Sequence, residues 1–350
     1  MTVPFILHDP ILTQAQNALS TGEIPDCSFL KDMNISNSGA VCLYERGFFP
    51  WKGLPYPHEH ARLGQYLVQL EQRELAKKMA CFQKAMLDHD QQPIASLFCQ
   101  EGRVPYVMLQ QATDAFLSSL EGVHLELPVI DEGLGFFRMG NFHTTSLITA
   151  SGCRTGLGTF LHCDAAILTF APQLSPVGDC ASFGIAGRAQ ELSYEYMDQQ
   201  IVCRYRNRLA CPHMRETGLN FLADAGYSGL WVQVSQKMSE GSLSTSAQVM
   251  GPHSQNSLSW TFFGKARSCV VAGSHGLSPN SLDRYQGPIQ KVEMRGVKGS
   301  VWIHSSVKGS MEVIPLAGDE SFWGANFLVV FRPEQGVLDC TFSHQSYLPV

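Results

Sequence analysis

Apolar residues recur at three- and four-residue steps through the first third of the chain, which is the pattern of amphipathic helices. Pro10 opens the first such segment, and proline is favoured at the first helical position. A longer stripe begins after Pro57, so we predict a single helix over residues 61–87. A third segment begins at Pro105, and Gly122 is well placed to end it. These signals predict a helical beginning of the chain.

After Gly122 the period of the apolar residues changes from helical steps to alternation. Of the 31 glycines, 24 follow this position, and many stand where turns between strands are expected. Residues 230–238 alternate between apolar and polar, whereas Phe327 to Phe331 are continuously apolar, as in a central strand buried on both faces. We therefore predict an α+β fold, with a short helical N-terminal part, residues 1–122, packed on a large antiparallel β-sandwich, residues 123–350.

Composition narrows the classes of partner. The chain has 350 residues, of which 44% are hydrophobic, so it can bury a sizeable core. Its net charge is −6, and only 16% of its residues are charged. Such a chain offers no basic stripe for nucleic acid, so we predict no nucleic-acid partner. The one dense basic patch, residues 204–208, we interpret as a strand with arginines facing solvent.

The expected cellular compartment is inferred from the absence of targeting signals and from the number and spacing of the cysteines. The N-terminus has neither a basic region nor a long apolar stretch, and no segment approaches the roughly 20 apolar residues of a membrane span. The 11 cysteines are an odd number, scattered along the chain, and typical of buried residues in a reducing compartment. We expect a protein that is cytoplasmic or exported without a cleavable signal peptide, with no membrane span.

One polar segment has the residue types for proton transfer. If residues 138–145 form a strand, Asn141 and His143 point to one face, beside Arg138. Histidine titrates close to neutrality, and an arginine with an asparagine can bind an anionic group. The alternative is an exposed sheet face with ordinary polar residues.

Metal and cofactor chemistry is not indicated. His58 and His60 are two positions apart at a helix start, so their side chains diverge by about 200°. The glycines of residues 152–158 lack the lysine that ends a phosphate-binding loop. We predict neither metal nor cofactor. A cysteine nucleophile and a serine hydrolase remain minor alternatives, although the GxSxG motif of many serine hydrolases is absent from the sequence.

Several aromatic residues of the β-rich part could stack on sugar rings. Trp302 lies opposite the apolar face of its strand, and Tyr285 follows Arg284 in a segment that looks like a loop. Tryptophan is also a routine core residue, so burial is the competing interpretation. An exposed Trp302 would suit a glycan ligand.

The order of a helical part followed by a β-sandwich resembles that of the polysaccharide lyases of the heparinase II/III type. The start of the sandwich in that family is similar to the strand-like run from Gly156 to Asp164, which continues to Ile185. The resemblance implies β-elimination next to a uronate, although this chain has fewer helices than that family's toroid. The reaction needs a base, a group that neutralises the developing charge, and an acid. Matched to those roles, the candidates are His143 as base, Asn141 and Arg138 as neutralisers and Tyr285 or Tyr56 as acid, with His162, Trp302 and Arg284 as further ligand contacts.

Two non-catalytic interpretations remain open. The sandwich could bind glycans or protein without any reaction. Alternatively, the helix over residues 61–87, whose glutamines give it a polar but weakly charged face, could dock a protein partner. That docking would require an exposed apolar patch of several hundred Å².

Overall fold

A computed structural model gives the architecture of the protein. It describes residues 10–20, 27–31, 33, 35–41, 57–88, 90–94, 106–125, 130–132, 135–141, 143–150, 156–173, 185–210, 227–251, 259–271, 275–316 and 324–347.

The helices come first in the chain. They are α1 (Pro10–Ser20), a 3-10 helix (Ser28–Lys31), α2 (Pro57–Gln69), α3 (Arg73–Ala85) and α4 (Tyr106–Ser118). Among the described helices, none combines the length and the apolar character needed to cross a lipid bilayer.

The single helix predicted over residues 61–87 is wrong, because α2 and α3 are separate. Glu71 adopts a left-handed φ of 60°, the N–H of Gln72 donates to the Leu67 carbonyl, and the N–H of Glu71 donates to the Val68 carbonyl. This pair of bonds is the Schellman motif that ends a helix. A new helix then begins at Arg73.

The apolar stripe of these two helices is turned inward. Leu63, Leu67, Met79 and Phe116 are all buried in a core shared by the helices. The stripe therefore offers no apolar surface for a docking partner, and the predicted protein interaction through residues 61–87 gains no support from it.

Eighteen strands follow the helices in the described part of the chain. They are β1 (Ile130–Asp131), β2 (Phe136–Gly140), β3 (Thr144–Thr149), β4 (Gly158–His162), β5 (Ala165–Gln173), β6 (Ile185–Met197), β7 (Gln200–Ala210), β8 (Tyr227–Ser239), β9 (Ser242–Met250), β10 (Ser259–Lys265), β11 (Ser268–Val271), β12 (His275–Leu277), β13 (Tyr285–Gly287), β14 (Lys291–Arg295), β15 (Gly299–Ser305), β16 (Gly309–Pro315), β17 (Phe327–Pro333) and β18 (Val337–Ser346).

The strands form two antiparallel sheets of nine strands each. Sheet 1 has the order β1-β2-β3-β4-β5-β10-β17-β16-β13, and sheet 2 has the order β12-β11-β14-β15-β18-β9-β8-β7-β6. The predicted α+β fold with a large antiparallel β-sandwich is confirmed. The continuously apolar Phe327 to Phe331 form the buried part of β17, between β10 and β16.

Aromatic rings fill the space between the sheets. Phe342 of sheet 2 lies against three rings of sheet 1, with centroid distances of 6.2 Å to Phe160, 4.9 Å to Phe170 and 6.0 Å to Phe262. Aromatic pairs at these separations contribute beyond the area that they bury. This contact fixes which faces of the two sheets point inward.

The helices pack on the other face of sheet 1. The ring of Phe82 in α3 lies 5.8 Å from that of Phe136 in β2, and Ser38 donates from its backbone N–H to Asp131 over 3.1 Å. Sheet 1 is thus covered on both faces here, whereas the outer face of sheet 2 carries exposed polar side chains.

Candidate functional site

Asn141 and His143 lie in a turn, so the condition of a continuous strand over residues 138–145 is not met at this point. Gly140 has a φ of +100°, and the Asn141 side-chain oxygen accepts hydrogen bonds from the backbone N–H groups of His143 (2.8 Å) and Thr144 (3.0 Å). An asparagine that bonds its own backbone in this way stabilises a turn. Both Asn141 and His143 are exposed.

His162 lies close to this turn, inside the end of the sandwich. Its Nδ1 is 2.8 Å from the Thr144 hydroxyl and its Nε2 is 3.2 Å from the Ser346 hydroxyl. Its ring stacks on that of His344, with centroids 4.1 Å apart and planes at 22°.

His344 is the more accessible ring of this pair. Desolvation lowers its pKa, and the charge of Glu240 in the β8–β9 turn opposes that effect. Glu240 in turn is 3.5 Å from the side-chain nitrogen of Asn141. The structure thus brings Asn141, His143 and His162 to one end of the sandwich, together with His344 and Glu240, which the sequence analysis missed.

Arg138 does not join these residues at the surface. It is 4% exposed, its guanidinium donates to the Gly140 carbonyl over 3.2 Å, and burial lowers its pKa. In this conformation Arg138 supports the β2–β3 turn from inside and is not positioned to contact a ligand.

Tyr285 and Arg284 lie at the opposite edge of sheet 1. Tyr285 begins β13, and Arg284 directly precedes it; β13 stands seven strands from β2, which is roughly 34 Å at about 4.8 Å per strand. Tyr285 packs against the main core, and Arg284 donates to Glu312 over 3.3 Å. The proposed acid therefore lies far from His143, and the catalytic roles assigned to these residues stay predictions.

The remaining two residues of the predicted set are on other parts of the chain. Trp302 is half-buried on the outer face of sheet 2, and the ammonium group of Lys291 lies 3.9 Å from its ring centroid. Lys291 thus covers the ring, a cation–π arrangement. Tyr56 lies outside the described residues.

A cavity opens on the outer face of sheet 2. Its volume is about 260 Å³, just below the range for small-ligand sites, about 300–1,000 Å³. The side chains that line it on the outer face come from four adjacent strands and are all polar or charged: Glu191 of β6, Arg204 and Arg206 of β7, Gln233 and Ser235 of β8, and Ser246 and Gln248 of β9.

Strand register explains this convergence. Arg206 is paired with Gln233, and Gln233 with Gln248, so these three side chains share one row across the sheet. Next to the row, Arg206 forms an ion pair with Glu191 at 3.0 Å and lies 5.1 Å from the ring centroid of Trp231. The outward-facing arginines predicted from the basic patch are thus confirmed for Arg204 and Arg206, and they border a cavity.

Beneath the cavity, a buried polar network ties the two sheets together. The Tyr205 hydroxyl donates to the Gln236 oxygen over 2.6 Å, and the Gln236 nitrogen donates to the Leu157 carbonyl of sheet 1's β3–β4 connection over 3.1 Å. Buried polar groups satisfied in this way rigidify the strands that carry them. The floor of the cavity is therefore firmly supported.

Comparison with known proteins gives no family. No protein-family model matches the chain, and no curated protein matches it. Among solved structures, the chain is similar to the 4-alpha-glucanotransferase from Thermococcus litoralis, with a TM-score of 0.36, 9% identity, and coverage of 83% of this chain and 51% of that one. It is also similar to a protein in the glycosyl hydrolase family 38 from Enterococcus faecalis, with a TM-score of 0.35, 8% identity, and coverage of 64% and 32%.

This chain spans about half the length of the first of these proteins and about a third of the second. At such TM-scores the two likenesses assign neither a family nor an activity to this chain.

Proposed function

We propose that the protein binds carbohydrate in the cavity on the outer face of sheet 2. The observation that carries this proposal is the convergence of hydrogen-bonding side chains from four strands around one open space of about 260 Å³. Gln233 and Gln248 stand in one row across the sheet, and each amide both donates and accepts hydrogen bonds.

A sugar fits this set of side chains better than other small ligands do. Neighbouring hydroxyl groups of a pyranose need donors and acceptors side by side, which amides, serine hydroxyls and guanidinium–carboxylate pairs supply. The side chains that line the cavity on the outer face are polar or charged, whereas sites for apolar ligands are lined mostly by hydrophobic side chains. The indole of Trp231, next to Arg206, adds an aromatic surface at the border.

The test is a titration of the purified protein with neutral and uronate-containing oligosaccharides, followed by calorimetry and by NMR of the ligand. Gln233→Ala and Gln248→Ala remove donors and acceptors from the cavity row, and each should weaken binding by about two- to tenfold, since one net hydrogen bond contributes about 0.5–1.5 kcal/mol. Thr341→Ala is the matched control, because Thr341 lies on the same face, paired with Ser244, outside the cavity lining.

Affinity that falls in both glutamine variants and not in Thr341→Ala would support the proposal. Failure of every oligosaccharide to bind would refute it. Binding that both glutamine variants leave unchanged would move the site elsewhere on the protein.

A second candidate function is β-elimination at the end of the sandwich, which the gathering of Asn141, His143 and His344 near Glu240 favours. With Arg138 buried, charge neutralisation would rest on Asn141. The assay is the ultraviolet absorbance of unsaturated uronate released from uronate-containing polysaccharides, with His143→Ala beside the wild type. Absorbance lost in the variant would support a lyase with His143 as base; no absorbance from the wild type would refute it.

A further inference from the structure

We propose that the carbohydrate bound in the outer cavity is an acidic sugar, whose carboxylate takes the place of the Glu191 carboxylate on Arg206. This inference rests on the proposed function, because it names the class of ligand for the same cavity.

A β-bulge aims Glu191 at the cavity. Gln190 pairs with Arg206 and Ser193 with Arg204, so β6 advances by one residue more than β7 between these pairs. Within the bulge Glu191 has a φ of 54°, a left-handed conformation that residues with a side chain rarely adopt. Bulges frequently re-aim a side chain next to a functional site, and such backbone strain persists where the surrounding structure holds it.

The ion pair that results is readily exchanged. The Glu191 and Arg206 side chains are 67% and 36% exposed. At that exposure water screens the attraction, and such a pair contributes little to stability. A carboxylate brought by a ligand can therefore replace Glu191 on Arg206 at small cost, while Glu191 turns to solvent.

Both guanidinium groups of the cavity pair with exposed carboxylates, Arg204 with Glu195 and Arg206 with Glu191. The cavity lining holds two guanidinium groups, Arg204 and Arg206, but only one carboxylate, Glu191. Glu195, the partner of Arg204 at 3.3 Å, is not part of the lining. In addition, the Nε of Arg206 is buried and has no hydrogen-bond acceptor among the described residues. Guanidinium groups match the planar fork of a carboxylate, so an acidic sugar suits these exposed, exchangeable pairs.

The experiment compares the tightest-binding uronate oligosaccharide of the titration panel with its own methyl ester, which keeps the sugar rings and removes the negative charge. We expect the acid to bind roughly tenfold more tightly than the ester, as for a charge-assisted hydrogen bond. The preference should shrink as ionic strength rises.

Three variants test whether the carboxylate of the ligand binds at Arg206. Arg206→Gln should abolish the preference for the acid over the ester. Glu191→Gln should increase affinity for the acid by about two- to fivefold relative to its effect on the ester, because it removes the internal competitor. Glu334→Gln is the matched control: it makes the same change of charge at an exposed position outside the cavity and should alter neither affinity.

The increase in Glu191→Gln is the decisive result, since a merely structural ion pair would give no change or a loss. Equal affinity for acid and ester, or no gain in Glu191→Gln, would overturn this inference. If neutral sugars still bind in a manner that depends on Gln233, the proposed function survives that outcome. If no oligosaccharide binds, both the proposed function and this inference are refuted.

Discussion

Replacing Tyr205 with phenylalanine removes one oxygen atom from the network that joins the two sheets. Tyr205 is 2% exposed, and its hydroxyl donates to the Gln236 oxygen over 2.6 Å. The Gln236 nitrogen lies within hydrogen-bond distance of the Leu157 carbonyl (3.1 Å) and the Thr245 hydroxyl (3.3 Å). In Tyr205→Phe the ring stays in place, while the buried Gln236 oxygen loses its donor.

The expected loss follows from that orphaned oxygen. Leaving a buried acceptor unsatisfied costs about 1–3 kcal/mol, and keeping the ring avoids the further cost of a large cavity. Against a typical total stability of about 5–15 kcal/mol, this is a substantial fraction. Gln236→Met should cost more, because it also removes the donor to the Leu157 carbonyl.

The measurement is urea unfolding of the wild type and the variants, with a shifted midpoint and an unchanged slope. Tyr196→Phe is the control, since Tyr196 is 55% exposed and its change should stay within about 0.5 kcal/mol. The double variant of Tyr205 and Gln236 should show a coupling free energy of at least about 0.5 kcal/mol. A Tyr205→Phe loss no larger than that of Tyr196→Phe would refute the reasoning.

Two further predictions concern close packing and pH. A Cβ at position 299 would lie 2.6 Å from the His162 ring and 2.8 Å from the Gln345 carbonyl oxygen. Gly299→Ala should therefore lower the free energy of unfolding by about 1–3 kcal/mol, measured with denaturant. Gly276→Ala is the control and should be nearly neutral, because a Cβ there would have no atom within 4 Å. Burial lowers the pKa of His60 from 6.5 to about 4. The unfolded chain therefore binds the proton more tightly than the folded chain does. As a result, the free energy of unfolding should fall by about 3 kcal/mol as the pH drops from about 6.5 to 4. His60→Gln should flatten that part of the stability–pH profile, and identical profiles for variant and wild type would contradict the pKa.

The periodicity of the chain predicted the helices and the sandwich but not every boundary. The break between α2 and α3 was missed because Glu71, and not a glycine, takes the left-handed position. Glycine is the residue that usually marks such a stop. Without it, the apolar stripe continues through the break, since the stripes of both helices face one core.

The turn at Asn141 could have been predicted from the sequence, but the apparent alternation of residues 138–145 suggested a strand instead. Gly140 followed by Asn141 is a pair typical of a turn between two strands. Reading Asn141 and His143 as one face of a strand ignored that pair. The consequence for the candidate site is large, because the turn exposes both side chains at the end of the sandwich while Arg138 stays inside.

The outer cavity could not be predicted from the sequence, because it is formed by residues that only the pairing of the strands brings together. Its residues lie between positions 191 and 248 on four strands, and only the register of those strands brings Arg206, Gln233 and Gln248 into one row. The bulge that aims Glu191 is a local departure from alternation, which a search for period two cannot find. The alternating polar residues of β9 from Ser242 to Gln248 were the available hint of an exposed face.

The two sheets differ in what they can offer a ligand, and burial is the reason. In sheet 1, strands β3 and β4 are buried at every residue. In sheet 2, β9 alternates between buried and accessible residues, so one face remains open to solvent. In sheet 2 the accessible side chains of neighbouring strands thus share one outer face, whereas beside β3 of sheet 1 the exposed residues lie in a turn, at Asn141 and His143. If the proposed binding in the cavity and the proposed proton transfer at the turn both occur, they use different surfaces, so variants in the cavity and variants in the turn can be tested independently.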